Sequence, residues 1–238
     1  MAESGQWIAL FSGGKDSSWA LHRAMVDGLP VTQLLTAQPQ GDAYLFHVPA
    51  IGITPHIAES VGLPIQTFPI EPPTSTDASS EGDTELAALR TALEETAAQM
   101  DGDLAGIVAG AVESQFQHTR LERLCAEFDI NMFAPLWQCD PVQTLNAMIA
   151  GGFDIRIVAV AAAGLDRSWL GRRIDEAAVK ELQQLHEDVG IHVLGEGGEY
   201  ETIVVNGPHM TRPVDYDADI HWDGTRGHLE ITDAWITD

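Results

Sequence analysis

Trp7-Ile8-Ala9-Leu10-Phe11-Ser12-Gly13-Gly14-Lys15-Asp16-Ser17 is the stretch that decides how this chain folds. Its first five residues are wholly apolar, the pattern of a strand buried on both faces. A glycine turn follows, and a helix is predicted over residues 17–27. There Ala20, Leu21, Ala24 and Met25 form one stripe, and Gly28-Leu29-Pro30 stops the helix. The two glycines of the turn allow a sharp bend and close approach to a ligand. A helix N-terminus offers unpaired N–H groups and the positive end of a dipole, so an anion is favoured there. Lys15 adds a point charge, and Ser12 and Ser17 add hydroxyl donors. Ser12, Gly13, Gly14, Lys15, Asp16 and Ser17 are therefore the expected cradle for a phosphate. A Walker A loop would carry Ser or Thr after the lysine, whereas this chain carries Asp16, which points away from γ-phosphate hydrolysis.

Outward from this loop, strands are predicted at residues 31–37, 65–70 and 104–112, and helices at 54–61, 84–100 and 121–128. Residues 72–82, rich in Pro, Ser, Thr and Asp, predict a surface loop. Alternation of strand and helix predicts an α/β fold with a doubly wound parallel sheet. The style changes after Phe133-Ala134-Pro135. A β-rich run over 154–163, a helix over 175–188, and short strands with Gly and Pro turns from His192 onward predict a smaller α+β domain. The expected division is residues 1–133 for nucleotide and 134–238 for substrate.

Composition narrows the setting. Among 238 residues, 12 Lys+Arg face 36 Asp+Glu, a formal charge of −24, and 45% hydrophobic residues suffice for a sizeable core. Only Lys15 and Lys180 are lysines. An acidic, lysine-poor surface suits a cytoplasm of molar salt, where the Debye length is about 3 Å and repulsion is screened. Non-specific contact with nucleic acid is disfavoured, because it runs on phosphate neutralisation. No apolar run approaches the roughly 20 residues of a membrane span. Residues 1–6 lack the basic and apolar regions of a signal peptide, so a cytoplasmic protein is expected. Cys125 and Cys139 are too few for a disulfide framework or a zinc ribbon. Cys125 falls on an apolar helix face, and nothing in the sequence pairs Cys139 with a base.

Ser12-Gly13-Gly14-Lys15-Asp16-Ser17 resembles the PP-loop of the N-type ATP pyrophosphatases, which split ATP between the α and β phosphates and adenylate a substrate. Further blocks narrow the branch. They are Gly110-Ala111-Val112-Glu113-Ser114-Gln115-Phe116-Gln117-His118-Thr119-Arg120-Leu121-Glu122, Ala134-Pro135-Leu136-Trp137, Ala161-Ala162-Ala163-Gly164-Leu165-Asp166, Trp169-Leu170-Gly171-Arg172 and Gly195-Glu196-Gly197-Gly198-Glu199-Tyr200-Glu201-Thr202. In this order and over nearly the whole chain, they resemble the diphthine–ammonia ligase family.

The resemblance implies an AMP-forming carboxylate–ammonia ligase that uses ATP, Mg²⁺ and ammonium on the diphthine of elongation factor 2, with neither nucleic acid nor membrane as a partner. It implies catalytic parts for Lys15, Asp16 and Glu199, with Asp16 also a Mg²⁺ contact. It implies substrate binding by His47, Glu85, Ser114, Gln117, Arg120, Glu122, Glu196, Gly197, Gly198, Glu199, Tyr200 and Glu201. The acidic block would hold Mg²⁺, receive the trimethylammonium of diphthine with Tyr200, or bind and deprotonate ammonium. Arg120 would clamp a phosphate or the substrate carboxylate. The chain departs from the family at Phe116-Gln117-His118, where Tyr-Gln-Arg is usual. Asp83 or Thr84 would cap the long helix, leaving Glu85 in its first turn. Two rivals fit the phosphate loop. A tRNA-modifying relative would need cysteine pairs and a basic face. An ATP-binding module without catalysis would not need the acidic block.

Overall fold

A strand that is apolar from Trp7 through Leu10 has to be covered twice, and β1 (Gln6–Leu10) is covered on both faces. The computed structural model describes residues 5–39, 52–70 and 78–237. Trp7 and Ala9 feed one core with α1 (Lys15–Val26) and α2 (Thr54–Val61). Ile8 feeds the opposite core with Leu89 and Leu93 of α3 (Ala78–Gln99) and Leu124 and Cys125 of α4 (Gln115–Phe128). This is the period-two alternation of a strand at the centre of a doubly wound sheet.

The sheet has the order β3-β2-β1-β4-β5, formed with β2 (Val31–Pro39), β3 (Ile65–Ile70), β4 (Leu104–Val108) and β5 (Asn131–Phe133). All its pairings are parallel. The strand order reverses between β1 and β4, and in open α/β sheets the ligand crevice lies beyond the C-terminal ends of the strands at that point.

Beyond α5 (Pro141–Ala150), a second sheet is antiparallel. It comprises β6 (Asp154–Val160), β7 (Tyr200–Asn206), β8 (Val214–Trp222) and β9 (Gly227–Ile236) in the order β7-β6-β9-β8, with α6 (Glu176–Val189) packed beside it. The two sheets share a core. Phe11, Leu21 and Ile57 from the first lie in the same buried cluster as Ile155, Val160, Ile203 and Val204 from the second. Each such side chain contributes about 1.5–3 kcal/mol of burial, so the shared core fixes the second sheet against the face that carries α1.

Several boundaries differ from the sequence-based expectation. Helix α4, expected to include 121–128, starts at Gln115, where Ser114 caps it by accepting the Gln117 N–H at 3.3 Å. Helix α3 starts at Ala78, so 78–82 are helical rather than loop, and 83–84 lie inside the helix rather than capping it. Strand β4 ends at Val108 rather than 112. Helix α5 was not predicted, although Asp140, which accepts the Gln143 N–H at 2.8 Å, and Pro141 form a regular helix start. The strands after His192 are longer than expected, at seven, nine and ten residues. Residues 192–195 form no strand, so the acidic block runs from a loop into the start of β7 rather than separating two strands. Among the described residues, no helix is long and apolar enough to cross a membrane.

Candidate active site

Between β1 and α1 the chain turns at Gly13, whose φ of 79° lies in the left-handed region that favours glycine. Gly14 is the N-cap of α1 and has no side chain to accept a first-turn amide. Hydroxyls take that part. Ser12 N–H donates to Ser17 Oγ at 3.2 Å, and Gly14 N–H donates to Ser12 Oγ at 3.3 Å. Lys15 N–H donates to Thr202 Oγ1 at 3.1 Å. Lys15 is 4% exposed, and its ammonium donates to Asp16 Oδ2 at 2.8 Å and stands 5.3 Å from the centre of the Tyr200 ring. Asp16 Oδ1 is buried with no hydrogen-bond partner among the described residues. Gly110, just beyond β4, lies directly under this turn. A Cβ there would come within 2.8 Å of Asp16 C and Ser17 N, so only glycine lets β4 approach the helix start.

The acidic block reaches the same place from the second sheet. Val204 N–H donates to the Gly13 carbonyl at 2.9 Å, which docks β7 on the glycine turn between β1 and α1. The Glu196 carboxyl is raised above the ordinary carboxylate range, first by burial and then by Asp16, with Lys15 and His192 opposing. Burial likewise raises Glu201, with Lys15 opposing. Glu199, expected as a chemical group, is built into the loop. Its Oε1 accepts His192 N–H and its Oε2 accepts Gly197 N–H, each at 2.8 Å. Tyr200, expected to meet a cationic substrate, is spent inside. Its hydroxyl donates to the Val193 carbonyl at 2.6 Å, its ring faces Lys15, and burial lifts the hydroxyl far above its usual range. Gly197 and Gly198 form the exposed rim of the loop.

A cleft of about 350 Å³ opens between this loop and the head of α4, lined by Glu113, Ser114, His186, His192, Glu196 and Glu199 among others. Sequence reasoning missed His192. Its Nδ1 accepts from Leu194 N–H (3.2 Å) and Glu196 N–H (3.4 Å), which leaves Nε2 to carry the proton, 3.4 Å from Glu113 Oε2. Thr202 and Glu113 were also missed as functional residues. All three lie inside or beside quoted motifs, but only the folded contacts single them out.

Ser114, Gln117, Arg120 and Glu122 follow one another along the start of α4. Ser114 lines the cleft, and Gln117 is exposed one turn along α4. The Arg120 guanidinium covers the Phe116 ring at 3.3 Å. Glu122 meets His118 Nε2 at 3.3 Å, and His118 is buried in a stack on Trp137 with centroids 3.7 Å apart. The histidine in place of the family's arginine thus has a packing role. Glu85 stands in the second turn of α3, on the far face of the sheet from α1. His47 lies outside the described residues. Burial raises the Cys125 thiol to about 11 and also raises Cys139, so both stay protonated near neutral pH. Among the described residues, no group of three or more His, Cys, Asp or Glu is arranged to hold a metal ion.

The models of the diphthamide synthase N-terminal and C-terminal domains match residues 5–132 and 140–236. The chain is 30% identical over 223 residues to the diphthine–ammonia ligase of Danio rerio, covering 89% of this chain and 86% of that protein. Against the diphthine–ammonia ligase of Homo sapiens it is 30% identical over 224 residues, covering 88% and 82%. A solved structure from Methanocaldococcus jannaschii, described as a predicted subunit of tRNA methyltransferase, overlaps 86% of this chain and 98% of its own at 16% identity and a TM-score of 0.43. That overlap is too loose to speak for more than itself. The two domain models span nearly all of the sequence in order, and the chain belongs to the diphthamide synthase family.

Proposed function

We propose that this chain is an ATP-dependent, AMP-forming ligase that amidates the diphthine residue of elongation factor 2 with ammonium. The observation that carries this reading is the meeting of the phosphate loop and the acidic loop in one site. Val204 N–H holds the Gly13 carbonyl, and Glu196 lies within electrostatic reach of Asp16 and Lys15. Adenylation at a carboxylate oxygen and amide formation at the carbon that bears it act on one carboxyl group, so the anion site and the cation site have to adjoin. The names of the relatives, diphthine–ammonia ligases, support the choice of substrate.

In this mechanism the loop amides and Lys15 hold the polyphosphate, with Ser12, Gly13, Gly14, Asp16 and Ser17 completing the cradle. The diphthine carboxylate attacks the α-phosphorus, the bond to the β-phosphate oxygen breaks, and pyrophosphate leaves. Ammonium gives up a proton to a carboxylate of the acidic block, its nitrogen attacks the acyl carbon, and the second surplus proton passes to water. AMP leaves and the amide remains. Glu196 and Glu201 provide negative charge for ammonium or for the trimethylammonium group, and Glu199 with Gly197 and Gly198 keeps their loop in shape. Positioning and charge neutralisation supply most of the rate.

The donor set suits Mg²⁺, which takes one or two carboxylates and otherwise keeps phosphate oxygens and water. Asp16 Oδ1, buried and without a hydrogen-bond partner among the described residues, is the oxygen that would meet it. Bound there, the ion would neutralise phosphate charge. Residues 1–133 would carry the nucleotide and 134–238 the acceptor side, with Ser114, Gln117, Arg120 and Glu122 around the acceptor's entrance and Glu85 and His47 as further substrate contacts. A charge of −24 disfavours nucleic acid, and the cytoplasm is the setting in which elongation factor 2 would be met.

The test is AMP release in molar KCl with ATP, Mg²⁺, ammonium and diphthine-bearing elongation factor 2, omitting each component in turn. AMP that requires both ammonium and acceptor is the expected result. ATP binding without acceptor-dependent AMP would overturn the reading and favour a non-catalytic module or another PP-loop chemistry.

A further inference from the structure

Of the three hydroxyls that accept amides of the nucleotide loop, two are local and the third, Thr202, comes from β7, 187 residues further along the chain. Gly14 brings no side chain to the N-cap of α1, so Thr202 Oγ1 takes the Lys15 N–H at 3.1 Å as a capping side chain would. The threonine lies on the loop itself. A Cβ at Gly14 would stand 3.1 Å from the Thr202 carbonyl oxygen and 3.7 Å from its hydroxyl. Its neighbours two positions away on the strand reach the same loop. Tyr200 puts its ring 5.3 Å from Lys15 Nζ, and Val204 N–H holds the Gly13 carbonyl at 2.9 Å. One row of β7 therefore backs the phosphate loop.

A hydroxyl can accept and donate at once. Having accepted Lys15 N–H, Thr202 still has its own proton, and no hydrogen bond among the described residues uses it. That N–H lies at the helix end where an anion is favoured. We propose that Thr202 is a nucleotide-positioning residue: its hydroxyl accepts from Lys15 N–H and donates its proton to a phosphate oxygen of bound ATP. It thereby ties the nucleotide to the strand that follows the acidic loop. The inference rests on the reading of this site as one that binds ATP, and it adds a residue from the second sheet to a cradle otherwise built from the first.

The experiment compares wild type, Thr202→Val and Thr202→Ser. Valine keeps the branched shape and loses both hydrogen-bonding functions, whereas serine keeps both. ATP·Mg²⁺ affinity is measured directly, the rise in Tm on adding ATP is recorded, and KM for ATP is taken from AMP release. Thr202→Val is expected to weaken ATP binding about tenfold or more, as loss of a hydrogen bond to a charged group does, and to shrink the ATP-induced rise in Tm. Thr202→Ser is expected to restore both. A residue that only caps α1 would lower the Tm of the ligand-free protein and leave the ATP-induced rise intact, which overturns the proposal. Thr202→Ser as weak as Thr202→Val, or Thr202→Val within about twofold of wild type, overturns it as well. The binding arm stays readable if the acceptor reaction fails, which would sink the amide-ligase reading alone. A wild-type protein that does not bind ATP sinks both.

Discussion

The sequence marks Lys15 as a candidate anion ligand, but it does not show the surroundings of that lysine. Its ammonium is enclosed by Asp16 at 2.8 Å and the Tyr200 ring, so Lys15→Ala removes the cation and leaves Asp16 without its partner. AMP formation is expected to vanish in that variant, and retained AMP release would remove Lys15 from the machinery. Glu199 shows the opposite limit. Three carboxylates crowd the acidic block, and nothing in the sequence says which one turns inward to hold two backbone amides. Glu199→Gln offers one acceptor where two are needed, so an N–H is left facing a donor, at a local cost of about 1–3 kcal/mol. The acceptor KM is expected to rise while ATP affinity stays near wild type, checked by separate titrations. A fall in ATP affinity alone would contradict the assignment. His209 was not singled out at all. Only 5% exposed, it stacks on Phe153 at 5.2 Å beside His22 of α1, and its pKa is lowered from 6.5 to about 4 by burial, with His22 adding. A base with a depressed folded pKa binds its proton more readily in the unfolded chain. Stability is therefore present above pH 6.5 and lost as pH falls towards 4, by about 3 kcal/mol in all. In urea melts, His209→Phe should lose less stability than wild type across that window, and parallel losses would refute the idea.

At the scale of elements, the sequence shows what a period can show. β1, α2 and β3 match expectation because apolar runs and stripes mark them locally. Helix α5 escaped, since a helix start at Asp140-Pro141 is a weak signal beside the β-rich run after it. The early start of α3 escaped because Ser79, Ser80, Gly82, Asp83 and Thr84 are weak helix formers and read as loop, yet the helix runs through them. The bond from β7 to the phosphate loop joins residues nearly two hundred positions apart, and no local pattern encodes it. The same holds for Gly110, a motif glycine whose reason appears only where β4 meets α1. An added Cβ would sit 2.8 Å from backbone atoms of Asp16 and Ser17, which cannot yield as a flexible side chain would. Gly110→Ala should therefore shift the start of α1. It should cost about 1–3 kcal/mol in denaturant melts, the usual range for overpacking, and weaken ATP binding with it. Unchanged binding and stability would show that the helix start is free to move.

At the scale of the molecule, the charge of −24 governs the conditions under which everything else operates. The second sheet makes the repulsion local. On the exposed face of the β8–β9 pair, Asp217 stands directly opposite Asp233 and Asp219 directly opposite Glu230. Like charges across a strand pair cost stability, by about 0.2–1 kcal/mol each. Such an arrangement is tolerable where ions screen it. The Debye length falls from about 10 Å at 0.1 M salt to about 3 Å at 1 M, so the facing carboxylates interact far less in concentrated KCl. The Tm of the wild type is therefore expected to climb as KCl rises from about 0.1 M to about 2 M, chiefly through screening in the lower part of that range. Asp217→Lys converts one facing pair from repulsion to attraction, and it should stabilise the protein by about 0.5–1 kcal/mol in dilute salt. In concentrated KCl the variant and wild type should converge, because the term that separates them is the one that salt removes. A stabilisation of equal size at both salt concentrations would trace the effect to strand packing instead of charge. A Tm that falls as KCl is added would show that this acidic surface is not an adaptation to salt.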